Sequence, residues 1–291
     1  MTTNRIAETN GRETRRRRIK PGSVVTHTIL IIAVAVFAFP FYWLVVMATS
    51  HTGDIFAFPP RLIPGAEFFA NFSKVLHGTT FGRAFLNSLW LTVLTVALQL
   101  FLSSLAGYVF AKRRFPGRDR LFGILLFTLV LPTGVALIPT YQIYASLGWL
   151  NTYLPLIVPS AVTAFGVFWL RQAAESGVPD EVVQAAAIDG AGFFRTYWSV
   201  ALPSMRPALV ALGIFQTMWT WNDYLWPLLV LGNPNQYTLP LAIQELNGNY
   251  GTTDYSTVMS GTLVATLPLV ILFLIVRRTV FENLAGSAVK G

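Results

Sequence analysis

The chain contains no cysteine. Disulfide frameworks, thiolate zinc clusters and thiol nucleophiles are therefore excluded. Its three histidines, His27, His51 and His77, stand apart and show no metal-ligand spacing. Charge is also scarce. Only 12% of the residues are Asp, Glu, Lys or Arg, about half the share of an ordinary soluble domain. Hydrolytic motifs are missing as well. There is no G-x-x-x-x-G-K-[ST] phosphate loop, and the terminal "GSAVKG" has neither its spacing nor its context. No H-E-x-x-H or G-x-S-x-G occurs. ATP hydrolysis by the usual means is thus beyond this sequence.

Apolar runs are abundant. Of 291 residues, 54% are hydrophobic, and the mean hydropathy is +0.55. A membrane helix needs roughly 20 apolar residues to cover about 30 Å of hydrocarbon. Six stretches qualify: about 24–48, 88–111, 121–144, 153–170, 207–231 and 257–276. Pro132, Pro139, Pro155 and Pro159 fall inside them, which membrane helices tolerate when neighbours satisfy the freed carbonyls.

The loops between these stretches alternate in charge. With the N-terminus inside, 18 of the 21 Lys/Arg fall in cytoplasmic segments, and only Arg61, Lys74 and Arg83 fall outside. Such a bias predicts that both termini are cytoplasmic. The run "RRRRIK" at 15–20 could suit nucleic acid, but its place directly before the first span makes it a topology anchor beside anionic lipid. That span is longer than a signal-peptide core of about 7–15 residues, so it reads as an uncleaved anchor. The expected organisation is a basic tail at 1–23, a six-span transmembrane domain at 24–278 with a cytoplasmic loop at 171–206, and a C-terminal tail at 279–291.

Asp223 is the one acid inside a predicted span, and no Lys or Arg lies there. A proton-coupled carrier needs several such groups for its relay. No internal repeat is evident either. The chain thus spans the membrane without an energy source of its own, which weakens a secondary carrier, and the missing catalytic motifs weaken a membrane-embedded enzyme.

Residues 179–207, "PDEVVQAAAIDGAGFFRTYWSVALPSMRP", interrupt the apolar pattern. Pro179 suits a first helical turn, with Ser176 or Gly177 as cap. Asp180 and Glu181 favour the positive end of the helix dipole. Ala185, Ala186 and Ala187 permit close approach of a partner surface. Gly190, after Asp189, offers a left-handed stop. A second amphipathic helix follows, with Phe193, Phe194, Tyr197 and Trp198, and is expected to end at Pro203, before Pro207 opens the next span. The pattern predicts a cytoplasmic helix–turn–helix that docks another protein; an interfacial helix lying on lipid is the alternative.

This stretch resembles the EAA loop of ABC-importer membrane subunits, whose pattern is roughly E-A-A-x-x-D-G-A followed by L-P. Here it reads "QAAAIDGA" at 184–191 and "LP" at 202–203. Gln184 replaces the glutamate and loses its charge. "NSLWLTV", "LIPTYQIYASLGWLNTY", "WNDYLWPLL" and "GSAVKG" resemble the carbohydrate-uptake branch, as in the second permease of maltose importers. The resemblance implies an all-α membrane protein of six transmembrane helices with the type I ABC importer permease fold. It implies a coupling loop built on Gln184, Ala185, Ala186, Asp189, Gly190, Ala191, Leu202 and Pro203. It further implies a second permease subunit, two ATP-binding subunits that hold ATP and Mg, and an extracytoplasmic solute-binding protein. The substrate would be a sugar or related polyol, with no cofactor in this chain and no nucleic acid partner.

The fifth span carries "FQTMWTWNDYLWPLL". Gln216, Asn222 and Asp223 offer polar groups for hydroxyls, while Trp219, Trp221, Tyr224 and Trp226 offer flat apolar faces. Gln216, Trp221, Asn222, Asp223 and Tyr224 are therefore candidates for the translocation pathway. An aromatic belt with Asp223 as a cap or interhelical partner is the competing reading. Along a straight helix from Pro207, Asp223 would lie about 24 Å up, in the outer half of the bilayer. The outer loops at about 49–87 and 232–256 are expected, by resemblance, to face the binding protein.

Overall fold

The computed structural model describes residues 21–132, 134–247 and 253–288. The basic run at 15–20 and the last three residues of the terminal "GSAVKG" lie outside them. Among the described residues the secondary structure is helical, with no strand. In chain order the helices are α1 (Pro21–Ala48), α2 (Thr52–Ile55), α3 (Phe68–Gly78), α4 (Phe81–Lys112) and α5 (Arg118–Val130). Then come α6 (Leu137–Ser146), α7 (Leu154–Ile157), α8 (Ala164–Gly177), α9 (Asp180–Ile188) and α10 (Phe193–Thr196). The last are α11 (Leu202–Ser204), α12 (Arg206–Trp221), α13 (Leu225–Val230), α14 (Leu239–Glu245) and α15 (Tyr255–Ala288).

Among the described residues, four segments are long and apolar enough to cross a membrane: Val25–Ala48, Phe81–Lys112, Leu154–Gly177 and Tyr255–Arg277. A fifth is added if Phe193–Ser204 and Arg206–Trp221, bent by 76°, count as one. The stretch 121–144, expected as a single span, is instead two helices, α5 and α6. Leu131, forced out of the α region by Pro132, adopts φ −68°, ψ 124° and ends α5. The stretch 207–231 is likewise divided, because α12 stops at Trp221 and α13 begins at Leu225.

The chain forms two units, residues 1–44 and 45–291. In the described part of the first, the apolar side chains are largely exposed, with Ile31 at 68% and Phe37 at 77%. Such a surface belongs in hydrocarbon, where it carries no hydration penalty.

The second unit is organised around α4. Its inward face is polar: Ser88, Thr92, Thr95, Gln99, Ser103 and Ser104 are all buried. In lipid, small and polar residues replace the hydrophobic effect as the adhesive between helices. Accordingly α8 crosses α4 very closely. A methyl group at Gly107 would stand 2.7 Å from the Arg171 nitrogen and 2.8 Å from the Leu170 carbonyl carbon. Gln99 Nε2 donates to Thr163 Oγ1 at 2.9 Å. Thr163 Oγ1 in turn caps α8 by accepting from the Gly166 N–H at 3.1 Å.

The loops expected outside are not bare connections. Asn87 Nδ2 donates to the carbonyls of Asn235 at 3.1 Å and Tyr237 at 3.0 Å, and the Leu239 N–H donates to Ser88 Oγ at 2.7 Å. The later loop is thereby fastened to the start of α4. Asp254, just before α15, accepts from Lys74 Nζ of α3 at 2.9 Å and from the Thr52 hydroxyl of α2. Three separate elements meet at that one carboxylate.

Candidate functional site

The loop singled out in the sequence folds as a helical hairpin, with three local differences from expectation. Pro179 is the N-cap residue of α9 and not its first helical residue, with φ −61°, ψ 138°. Ser176 and Gly177 complete α8 and do not cap α9. Val178, ahead of the proline, is extended at φ −115°, ψ 100° and ends α8. Pro203 does not end the second helix. A π-helical turn over Tyr197–Ala201 precedes it, and the Leu202 N–H reaches back to the Tyr197 carbonyl. A wider turn there leaves room for the ring, whose clash falls on the fourth preceding carbonyl in a regular α-helix. The chain therefore breaks two residues later, around Met205.

Gly190 behaves as its sequence position predicts. It has φ +76°. Its N–H bonds to the Ala187 carbonyl at 3.1 Å, and the Ala191 N–H to the Ala186 carbonyl at 2.9 Å. These are the two hydrogen bonds of a Schellman stop. Asp180 and Glu181 occupy the first turn of α9, where they oppose the helix dipole favourably.

The hairpin is held from beneath. Tyr108 of α4, Ala174 and Val178 around the end of α8, and Tyr197, Ala201 and Met205 form one buried cluster, against which Val183, Phe193 and Leu202 pack. The Tyr197 hydroxyl shares a 2.7 Å hydrogen bond with Ser104 Oγ. Lys112 Nζ at the end of α4 donates to Asp180 Oδ1 at 2.7 Å, and the Arg113 guanidinium lies 5.1 Å from the Phe193 ring centroid. No local pattern announces the last three ties, because each joins residues 68 or more positions apart.

The other face of the hairpin is open. Gln184, Ala185, Asp189 and Gly190 are exposed, whereas Ala186, Ala191, Leu202 and Pro203 are half-buried. Val182 is 43% exposed, Ile188 86% and Phe194 64%. An apolar surface is thus offered on a rigid support at the foot of the helices, which fits a protein-binding element.

The pathway candidates divide into two sets. Asn222, Asp223 and Tyr224 line one cleft of about 720 Å³ together with Phe215, Met218 and Trp219. Gln216 and Trp221 are buried. Trp221 packs with Val75, Phe81 and Leu239, and its ring N–H donates to the Ala265 carbonyl at 3.0 Å. Gln216 Nε2 donates to Thr220 Oγ1 at 3.0 Å. Asp223 sits in the break between α12 and α13, where Oδ1 accepts from the Trp226 N–H at 3.4 Å. The straight-helix rise assumed for Asp223 thus holds only as far as Trp221, two residues before it, where α12 ends. Trp219 and Trp226, noted only as aromatics in the sequence, both reach the cleft.

Several apolar helices, a polar-lined central helix and a rigid hairpin with an open face define a multi-pass membrane protein of the transport type. Residues 99–284 match the family of binding-protein-dependent transport system inner membrane components. The chain is 32% identical to the lactose transport system permease protein LacG of Rhizobium radiobacter, over 94% of this chain and 98% of that one. It is 35% identical to the arabinooligosaccharides transport system permease protein AraQ of Halalkalibacterium halodurans, over 83% and 85%. It is 32% identical to the sn-glycerol-3-phosphate transport system permease protein UgpE of Yersinia pestis, over 91% and 96%. In a solved bacterial ABC transporter involved in import of the acidic polysaccharide alginate, one chain superposes with a TM-score of 0.77 at 23% identity, over 88% of this chain and 95% of that one. That likeness concerns the fold. The chain belongs to the family of binding-protein-dependent transport system inner membrane components: it is a permease subunit of an ABC importer and not an enzyme. Nothing supports the secondary-carrier alternative.

Proposed function

We propose that this permease translocates a sugar or related polyol, and that its 179–203 hairpin transmits the work of a separate ATPase. The observation that carries the coupling role is the pairing of a rigid underside with an open apolar face on α9. A rod tied to α4 by Lys112 and to the helix ends by the Tyr197 cluster moves the spans when it is pushed. Gln184, Ala185, Ala186, Asp189, Gly190, Ala191, Leu202 and Pro203 build that rod. ATP and Mg are held by two ATP-binding subunits, a solute-binding protein delivers the substrate, and a second permease completes the pore. The sugar class is supported by the relatives named for lactose, arabinooligosaccharides and glycerol phosphate.

Both termini are cytoplasmic in this reading, and the broken α5–α6 region completes six crossings. Asn222, Asp223 and Tyr224 contribute to the pathway through their shared cleft, with Gln216 and Trp221 supporting its wall from the buried side.

The experiment is purification of the tagged chain from its native membrane. ATPase subunits should copurify, and Ala185→Trp should abolish both copurification and uptake while the protein stays in the membrane. Ala185 is exposed, so its bulk obstructs a partner without disturbing the fold. Full uptake in that variant would refute docking on this face of α9.

A further inference from the structure

We infer that the turn between α4 and α5 is a binding site for the headgroup of an anionic phospholipid, with an acyl chain lying along α5. Arg114, Phe115, Gly117, Arg118, Asp119 and Arg120 line a cavity of about 610 Å³. Within it, Arg118 is engaged by Asp119 at 2.9 Å. No ion pair takes up Arg114 or Arg120 among the described residues. The neighbouring Arg113 is directed to the Phe193 ring. The cavity therefore keeps two guanidinium groups for a ligand, and the net charge of its three arginines and one aspartate is positive. Guanidinium pairs with phosphate oxygens in a planar, two-pronged geometry.

A second observation selects a lipid over a free anion. Arg120, Ile124 and Phe127 stand at helical spacings of four and three, which puts them on one face of α5. Ile124 and Phe127 are each 63% exposed. A cation thus heads an uncovered apolar track on α5, which rises about 15 Å from Arg120 to its end at Val130. One acyl chain spans about half of the roughly 30 Å hydrocarbon layer, so the track is long enough to accompany it. A soluble phosphate would use the arginines and leave the track idle. Basic pockets at membrane-facing helix ends are suited to acidic lipid headgroups.

The location gives the site a consequence. The turn that would hold the headgroup begins immediately after Lys112 and includes Arg113, the two residues that grip α9 and α10. Lipid occupancy would stiffen the point from which the coupling hairpin is suspended.

The test uses the full chain in detergent micelles doped with phosphatidylglycerol or with phosphatidylcholine. Native mass spectrometry reads the retained lipid. Phosphatidylglycerol should be retained over phosphatidylcholine, and Arg114→Gln with Arg120→Gln should lower its retention about thirtyfold. Arg114→Lys with Arg120→Lys should lose less, which separates loss of charge from loss of fold. Phe127→Ser should also reduce retention, although it touches no charge. Excess inorganic phosphate should leave the bound lipid in place. Equal retention of the two lipids, or no change in the glutamine variant, would overturn the site. Displacement by inorganic phosphate together with an inert Phe127→Ser would show a soluble-anion site and equally overturn it.

Discussion

Gly190 turns the hairpin because its backbone needs φ +76°, not because space is short. No atom lies within 4 Å of where its Cβ would stand. The cost of a side chain there is purely conformational, about 1–2 kcal/mol for an ordinary residue. Gly190→Val should therefore loosen the end of α9 and uncouple uptake from ATP hydrolysis. Gly190→Asn, which tolerates the left-handed region, should keep most of the uptake. Equal loss in both variants, measured as transport and ATPase rate in vesicles, would mean that the side chain obstructs docking and that backbone strain is irrelevant. Asp254 is a residue of a different kind. Burial raises its pKa, but hydrogen bonds from Thr52, Lys74 and Thr257 outweigh that and lower it from the ordinary 3.8 to about 2. Its folded-state pKa is depressed, so its stabilisation is complete above about pH 4 and is lost as pH falls towards 2. The pair with Lys74 is partly exposed, and screening limits its contribution to about 1 kcal/mol. Asp254→Asn should lower the melting temperature at neutral pH, and the gap from the unmodified protein should narrow below pH 4. A gap that is constant between pH 7 and pH 3 would remove the carboxylate's charge from the explanation.

Elements that carry a local signal were legible in the sequence. Long, predominantly apolar runs marked α4 and α15, and the Asp-Gly stop marked the end of α9. The elements that were not legible depend on competition between proline and long-range packing. Pro132 divides α5 from α6, yet Pro203 is absorbed by a π-helical turn. Nothing local to either proline distinguishes the two outcomes; the Tyr197 ring, anchored on Ser104 and buried with Tyr108, accompanies the second. The same limit applied to the pathway candidates. Trp221 and Asn222 are adjacent in sequence, but the first is in the core and the second lines the cleft. Which side of α12 faces the core is set by Val75, Phe81 and Leu239, which come from other elements. The crossing of α4 and α8 offers a direct test of packing at this scale. Gly107→Leu would drive a side chain into the Leu170–Arg171 backbone, which cannot yield as a flexible side chain can. Overpacking of this kind costs about 1–3 kcal/mol. The variant should melt several degrees lower in detergent and yield less membrane-inserted protein. An unchanged melting curve would show that the two helices are farther apart than described.

For the whole molecule, the charge distribution and the packing point the same way. The hairpin packs on the end of α4, which runs into the basic cluster Lys112, Arg113, Arg114, Arg118 and Arg120, whereas Lys74 and Arg83 belong to the opposite set of segments, poor in Lys and Arg. α4 joins the two sets: its start is fastened to the 232–256 loop through Asn87 and Ser88, and its end holds α9 through Lys112. A helix of 32 residues covers about 48 Å, more than the roughly 30 Å hydrocarbon layer. The two fastened ends therefore emerge on opposite sides of a membrane. The excess of basic residues beside the hairpin is the ground for proposing that this end is the cytoplasmic one. The absence of cysteine makes the orientation easy to measure, because any thiol introduced is the only one present. Ser73, on α3, and Ser199, on the hairpin, are both exposed, so labelling failure at either cannot be blamed on burial within this chain. In intact cells an impermeant maleimide should label Ser73→Cys and spare Ser199→Cys, and both should react once the membrane is opened. Labelling of Ser199→Cys alone in intact cells would invert the topology and, with it, remove the hairpin from reach of any cytoplasmic ATPase.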